Sequence, residues 1–450
     1  MPYIANTDKD IREMLGAIGV KSIKDLYAHL PQEVILNTDL DLPPGLSEQE
    51  TRLAVLSLAA KNSSIARCNS FLGAGCYDHY VPAALKYLIE RCEFLTAYTP
   101  YQAECSQGSL QAIHEYQSYM CLLTGMDVSN ASLFDGASGM AEAVLMGLRM
   151  TKRNKIVVAS SVHPEYRKVL QTYLSGHDYK IQEIGFDRRG FLDTAAFKAA
   201  LDEHVACVVL QSPNFFGLIE DAREFVAHAH AKGAITILVT NPASLSILKE
   251  PAALGVDIVC GDGQPLGGAM SFGGPSFGFI ATRTQHLRQM PGRIVGKTVD
   301  TEGRPAYCLT LQAREQHIRR QAATSNICSN QSLNAIAAAM YLALMGRSGF
   351  AQAGHISLNL AHYLYSRLQS VKGVELPFAN CFFNELVWRV NDAKTVVNEL
   401  YKKNIIAGVA LDERYPQLAD CIVSCCTEKK TKDQIDAFVS ALQEVLGKKA

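Results

Sequence analysis

The residues best suited to bind a ligand lie in the segment LTAYTPYQAECSQGSLQAIHEYQ, Leu95 to Gln117. A helix with Leu110 and Ile113 on its apolar face accounts for the second half of this segment. It does not account for the phenol and amide groups around Pro100, on an irregular stretch of the kind where binding residues tend to lie. We call this candidate substrate or interface site the aromatic loop, and its residues are Tyr98, Thr99, Tyr101, Gln102 and Glu104.

A second candidate site is the segment SLFDGASGMAEAV, in which a short strand leads into a glycine-containing turn and then a helix. Glycine lets the backbone approach a ligand, and the free N–H groups and dipole of a helix start favour phosphate. An ordinary N-cap by Asp135 explains the same residues, and the local sequence favours that interpretation. Further along, SSVHPEY places His163 beyond a strand end, where its ring either stacks on an aromatic cofactor or caps a loop. The candidate residues here are Asp135, Gly136, Ala137, Ser138 and His163.

The elements that must hold these residues alternate between strand and helix from about residue 130. Four apolar runs are predicted to be buried strands: KIVVAS, VACVVLQ, AITILVT and VDIVC. Amphipathic segments such as PEYRKVLQTYL separate them. This alternation predicts an α/β fold with a mostly parallel sheet covered by helices on both faces. SFGFIATR follows a turn too short for a helical crossover, so it is predicted to return antiparallel.

The chain is predicted to have three parts. Ile11, Met14, Leu15 and Ile18 share one helical face, and Ser47 followed by Glu50 has capping-box spacing. After residue 330, two helical segments precede a mixture of short strands and helices. The predicted parts are an N-terminal helical arm over residues 1–60, a large α/β domain over 61–350 and a small α+β domain over 351–450.

Composition excludes several classes of function. Of 450 residues, 48% are hydrophobic and the formal net charge is −1, which offers no basic field for nucleic acid. The longest apolar run is too short for a bilayer, and the first residues lack the pattern of a signal peptide. The 13 cysteines include no CxxC pair, so we predict reduced thiols, no metal site and a cytoplasmic protein. The redox behaviour of Cys328 stays open.

Longer runs resemble the P-protein of the glycine cleavage system. They are FLGAGCYDHYVPAAL, TAYTPYQAECSQGSLQAI, LTGMDVSNASLFDGAS, SSVHPE, QSPNFFGLIED, DIVCGDGQPLG, FGGPSFGFIATR and REQHIRRQAATSNICSNQSLNAIAAAMY. They are ordered and spread over nearly all of the first 350 residues. That family consists of one long chain with two homologous halves or of two separate chains. The length of this chain resembles the separate N-terminal half, subunit 1.

The resemblance implies the fold of type I pyridoxal-phosphate-dependent transferases, with the cofactor lysine on the other half. The sequence agrees with a cofactor lysine on the other half, because no lysine occurs from Glu250 to Gly296. Gln264 and Pro265 follow VDIVCGDG, where the Schiff-base lysine is expected. Asn241 ends the strand where an acid would pair with the pyridinium nitrogen, and an amide cannot hold that nitrogen protonated by charge. The chain alone is therefore expected to carry no covalently bound cofactor and to be inactive.

The resemblance also implies the reaction and the partners. A lysine-bearing subunit 2 carries pyridoxal phosphate, glycine loses its carboxylate as CO₂, and the aminomethyl group passes to the lipoyl arm of the H-protein. Two copies of each subunit are expected. Dimers of this fold share residues between active sites, so the aromatic loop is the first candidate for a segment lent to the partner.

Two other functions stay open at this point. One is an independent pyridoxal-phosphate enzyme, such as a desulfurase or aminotransferase, that uses a lysine elsewhere in the chain. The other is a catalytically inactive scaffold or regulatory subunit.

Overall fold

The computed structural model describes residues 5–36, 38, 40–327, 329–378 and 381–447 of the chain. Cys328 lies outside the described residues. The chain divides into two units, Met1–Ser63 and Ser64–Ala450. The division of the second unit at residue 350 stays a proposal.

Over its described residues, the first unit forms the α-helices α1 (Asp8–Ile18) and α2 (Glu48–Ala59). The Ser47 hydroxyl accepts from the Glu50 N–H at 3.3 Å, and the Glu50 carboxylate accepts from the Ser47 N–H at 2.8 Å. This reciprocal pair confirms the predicted capping box. The apolar side chains of α2 are exposed: Leu53 59%, Val55 58%, Leu56 50% and Leu58 60%.

The second unit is organised around a large sheet and a smaller one. Its strands are β1 (Asn69–Ser70), β2 (Val128–Ser129), β3 (Lys155–Ala159), β4 (Lys180–Ile184), β5 (Val205–Gln211), β6 (Ile235–Val239), β7 (Ile258–Asp262), β8 (Gly278–Thr282), β9 (Ile294–Val299), β10 (Pro305–Thr310), β11 (Val374–Glu375), β12 (Glu385–Val390), β13 (Ile405–Ile406), β14 (Val409–Ala410) and β15 (Cys421–Cys425). Each apolar run predicted to be a buried strand forms one.

The large sheet has the strand order β2-β8-β7-β6-β5-β3-β4. Strands β3 to β7 pair in parallel with one another, whereas β8 is antiparallel to both β7 and β2. The mostly parallel sheet and the antiparallel return of β8 were both predicted, and both are confirmed. Parallel strands place their carboxyl ends on one edge, which is where α/β proteins bind ligands.

Helices connect and cover these strands. The remaining α-helices of the described residues are α3 (Ala83–Ile89), α4 (Cys92–Leu95), α5 (Gln107–Thr124), α6 (Gly136–Thr151), α7 (Pro164–Leu174), α8 (Thr194–Ala200), α9 (Arg223–Ala231), α10 (Gln316–Arg319), α11 (Ser332–Gln369), α12 (Ala393–Tyr401) and α13 (Lys432–Gly447). Helix α11 contains both helices that were predicted after residue 330. They are separated at Gly346, whose φ of 60° and ψ of 178° interrupt the helix.

Two hydrophobic cores meet along α11. Tyr341 belongs to the core between the large sheet and its helices, and Leu364 belongs to a second core. The second core packs the sheet β11-β12-β15-β14 against α12 and α13. Among the described residues, none of the helices combines the length and the apolar character needed to span a lipid bilayer.

Candidate functional site

A small cavity of about 30 Å³ lies where the carboxyl ends of β5, β6 and β7 meet. Its lining residues are Gly75, Tyr77, His163, Tyr166, Gln211, Phe215, Val239, Thr240, Asn241, Asp262, Pro265 and Glu385. The cavity therefore occupies the usual ligand-binding position of a parallel α/β sheet. A space of this size holds about one water molecule.

Gln264 has its side-chain amide bound to the backbone beside this cavity. Its Oε1 accepts from the N–H of Tyr77 at 2.9 Å, and its Nε2 donates to the carbonyl oxygens of Tyr77 and Gly268, each at 2.8 Å. Gln264 is only 4% exposed, and Pro265 lines the cavity next to it. The side chain at the expected lysine position thus forms part of the folded framework.

Asn241 lines the same cavity directly after β6. Its Oδ1 accepts from the N–H of Ala243 at 3.0 Å and so caps the short helix Pro242–Ser246. A neutral amide in this role supplies no charge for a ring nitrogen.

The start of α6 already has acceptors for its N–H groups. Asp135 Oδ1 accepts from the N–H of Ser138 at 2.7 Å, and Asp262 Oδ2 accepts from the N–H of Gly136 at 3.0 Å. The Tyr166 hydroxyl lies against Gly136, and Ala137 is buried. Two carboxyl groups therefore take hydrogen bonds that a phosphate would use at this helix start.

His163 both caps α7 and stacks on a ring. Its Nδ1 accepts from the N–H of Glu165 at 3.2 Å, which leaves Nε2 to donate to the carbonyl of Ala74 at 2.9 Å. The His163 and Tyr166 rings are stacked with their centroids 4.7 Å apart. Burial lowers the pKa of His163. Tyr166 thus covers one face of the His163 ring.

Taken together, the residues around the cavity do not fit pyridoxal phosphate. Gln264 offers no amine, Tyr166 stacks on the His163 ring, and the carboxyl groups of Asp135 and Asp262 hold the helix start.

Sequence reasoning missed two further residues at this site, Glu385 and Tyr77. The Glu385 carboxylate accepts from the Ala74 N–H at 2.6 Å and from the Tyr77 hydroxyl at 2.9 Å. Burial raises the pKa of Glu385 to about 7. The signal that could have found it is a carboxylate at the start of the strand ELVWRV, directly before the apolar residues Leu386 to Trp388.

The aromatic loop lies between α4 and α5 and contributes no residue to the cavity lining. Tyr98 is 77% exposed and Tyr101 is 49% exposed. Gln102 and Glu104 are also exposed, and Thr99 is partly buried. The Tyr98 hydroxyl lies 3.2 Å from the Ser329 hydroxyl, and the Tyr101 hydroxyl accepts from a buried arginine. The loop thus presents ring and amide groups to the outside of the chain.

Known proteins resemble this chain over nearly its whole length. A protein of Desulforamulus reducens named "Probable glycine dehydrogenase (decarboxylating) subunit 1" is 49% identical, over 98% of this chain and 99% of its own length. A solved glycine decarboxylase (P-protein) of the glycine cleavage system, in inhibitor-bound form, superposes with a TM-score of 0.90. It is 42% identical, over 99% of this chain and 100% of its own.

A more distant likeness bears on the fold alone. The sphingosine-1-phosphate lyase of Burkholderia pseudomallei superposes with a TM-score of 0.67 at 14% identity, over 94% of each chain. The predicted type I pyridoxal-phosphate-dependent fold is confirmed. The family described as "Glycine cleavage system P-protein" matches residues 1–442. With its mostly parallel sheet, its site at the strand ends and this match, the chain belongs to the glycine cleavage system P-protein family.

Proposed function

We propose that this chain is the cofactor-free subunit of a two-subunit decarboxylating glycine dehydrogenase. Relatives of equal length are named subunit 1 of that enzyme, which supports glycine as the substrate and a second subunit as the partner. In this proposal pyridoxal phosphate is carried by a lysine of the second subunit.

The observation that carries the proposal is the Gln264 amide, bound to both backbone groups of Tyr77. An active type I enzyme needs an amine in this place to hold its cofactor. In this chain the position instead connects β7 to the segment that contains Tyr77. The carboxyl groups of Asp135 and Asp262, which accept from N–H groups at the start of α6, support the same conclusion.

The contribution of this chain to catalysis is then made outside its own cavity. The exposed aromatic loop offers Tyr98, Tyr101 and Gln102 to a neighbouring chain. Phenol and amide groups can orient the glycine carboxylate and exclude water around it, which favours loss of CO₂. The lipoyl arm of an H-protein is proposed to receive the aminomethyl group, in an assembly with two copies of each subunit.

The test separates the two subunits before mixing them. Each purified chain is incubated with pyridoxal phosphate and treated with borohydride, and the modified lysine is mapped. We expect an adduct on the second subunit only, and glycine–bicarbonate exchange only after mixing.

Two outcomes would contradict the proposal. An adduct on a lysine of this chain would make it an independent cofactor-binding enzyme. Exchange activity of the second subunit alone, unchanged on addition of this chain, would reduce the chain to a scaffold.

A further inference from the structure

Arg293 is a buried cation that contacts the aromatic loop from beneath. It is 5% exposed and lies directly before β9. Its Nη2 donates to the Tyr101 hydroxyl at 2.7 Å, and its guanidinium carbon lies 5.2 Å from the centroid of the Tyr101 ring. Both the hydroxyl and the ring of Tyr101 are therefore held by one side chain.

Other groups near the guanidinium lie farther away. Glu315 Oε2 is 3.8 Å from Nε, and Asn330 Oδ1 is 3.5 Å from Nη1. Hydrogen bonds of this kind have N···O distances of roughly 2.7 to 3.2 Å. The bond to Tyr101 is thus the short, directional contact of Arg293.

The backbone that carries Arg293 is itself firmly held. Its carbonyl accepts from the N–H of Ala131 at 2.8 Å. Gln117 of α5 binds both the N–H and the carbonyl of Val295, each at 2.9 Å, and Gln107 binds both groups of Tyr307 at 2.9 and 2.8 Å. Two glutamines thus attach α5, the helix that follows the loop, to the β9–β10 hairpin.

We propose that Arg293 is the positioning residue of the aromatic loop. Its guanidinium fixes Tyr101, and with it the segment Tyr98–Glu104, in the orientation that completes the active site of the partner subunit. This inference rests on the proposed function above. Lysine cannot replace arginine here, because an ammonium lacks the planar fork that lies on the ring while donating to the hydroxyl.

The test uses the complex of this chain with its second subunit. Arg293→Lys is expected to assemble normally and to lower kcat/KM for glycine about 10- to 100-fold, since misplacement of an orienting group has effects of that size. Amide hydrogen exchange over residues 98–104 should become faster. Tyr101→Phe should also lower kcat/KM, and adding it to Arg293→Lys should produce little further loss, because both changes remove the same contact.

Arg314→Lys is the matched control. The Arg314 guanidinium donates to the main-chain oxygens of Met290 and Gly292, next to Arg293. A general disturbance of this segment would therefore affect both variants. We expect Arg314→Lys to reduce stability while the assembled complex keeps kcat/KM within about twofold of wild type.

The outcomes distinguish this inference from the function on which it rests. Equal loss of activity in Arg293→Lys and Arg314→Lys, or unchanged hydrogen exchange in residues 98–104, would overturn the positioning role. Full activity of Tyr98→Phe and Tyr101→Phe complexes would instead refute the catalytic role of the loop. In that case hydrogen exchange would still decide whether Arg293 holds it.

Discussion

Replacing Gln264 by lysine restores the amine that this site lacks, yet we expect the variant to bind no cofactor. Tyr166 would still stack on His163, and the carboxyl groups of Asp135 and Asp262 would still hold the start of α6. The variant should also be less stable, because lysine cannot reproduce the amide pairing with Tyr77.

The size of that loss follows from the hydrogen bonds. Gln264 makes three of them to backbone groups, two to buried Tyr77 at 2.9 and 2.8 Å and one to partly buried Gly268 at 2.8 Å. Each contributes about 0.5–1.5 kcal/mol net. An ammonium can donate to carbonyl groups but has no acceptor for the Tyr77 N–H, which would be left unpaired. With the added cost of burying the charge, we expect unfolding to become easier by roughly 2–4 kcal/mol.

Urea unfolding, followed by circular dichroism, measures this difference. Gln117→Lys is the matched control, since Gln117 makes the same kind of amide pair with Val295 and is 7% exposed. It should lose comparable stability with no change in cofactor behaviour. A borohydride-reducible adduct at position 264, in a chain as stable as wild type, would refute this reasoning.

Two further predictions concern the aromatic loop and the buried carboxyl group. Tyr98→Phe or Gln102→Ala should leave assembly unchanged and reduce transition-state stabilisation by roughly 1.5–3 kcal/mol, which lowers kcat/KM about ten- to 150-fold. Weaker subunit affinity with full activity of the complex would mean that these residues only hold the subunits together. Glu385→Gln should flatten the dependence of stability on pH. Because the folded-state pKa of Glu385 is about 7 against an ordinary 4.5, the native chain keeps a proton that the unfolded chain loses, and wild-type stability falls as the pH rises through this window. Relative to wild type, the variant should gain up to about 1.4 kcal/mol per pH unit between these values, measured by urea unfolding; parallel pH profiles would contradict the assignment.

Much of the fold could be predicted from the sequence because its signals are local. The run VACVVLQ is apolar except for its last residue and rich in β-branched valine, which favours a strand buried on both faces, and β5 covers those residues. The spacing of Ser47 and Glu50 likewise defines a helix start by itself. Family resemblance gave the place where the lysine is missing.

The rest depends on contacts between distant parts of the chain. Gln264 pairs with Tyr77, 187 residues away, and no local sequence pattern predicts that contact. The sequence offers two roles for His163, capping a loop and stacking on a cofactor. The structure shows the cap of α7 through Nδ1 and a stack on Tyr166, and stacking on a cofactor stays a prediction. The role of Arg293 also depends on a distant contact. Its local sequence GRIVG does not predict that it binds Tyr101, 192 residues earlier.

The exposed leucines of α2 have a consequence for the cell that makes this chain. Leu53 and Leu58 remain 59% and 60% exposed in the single chain, in a short helix with no buried residue of its own. Copies produced in excess of the second subunit would present this surface to chaperones and proteases, which remove chains that display apolar segments. Degradation of copies that are not bound to the second subunit would then adjust the amount of this chain to that of its partner after translation.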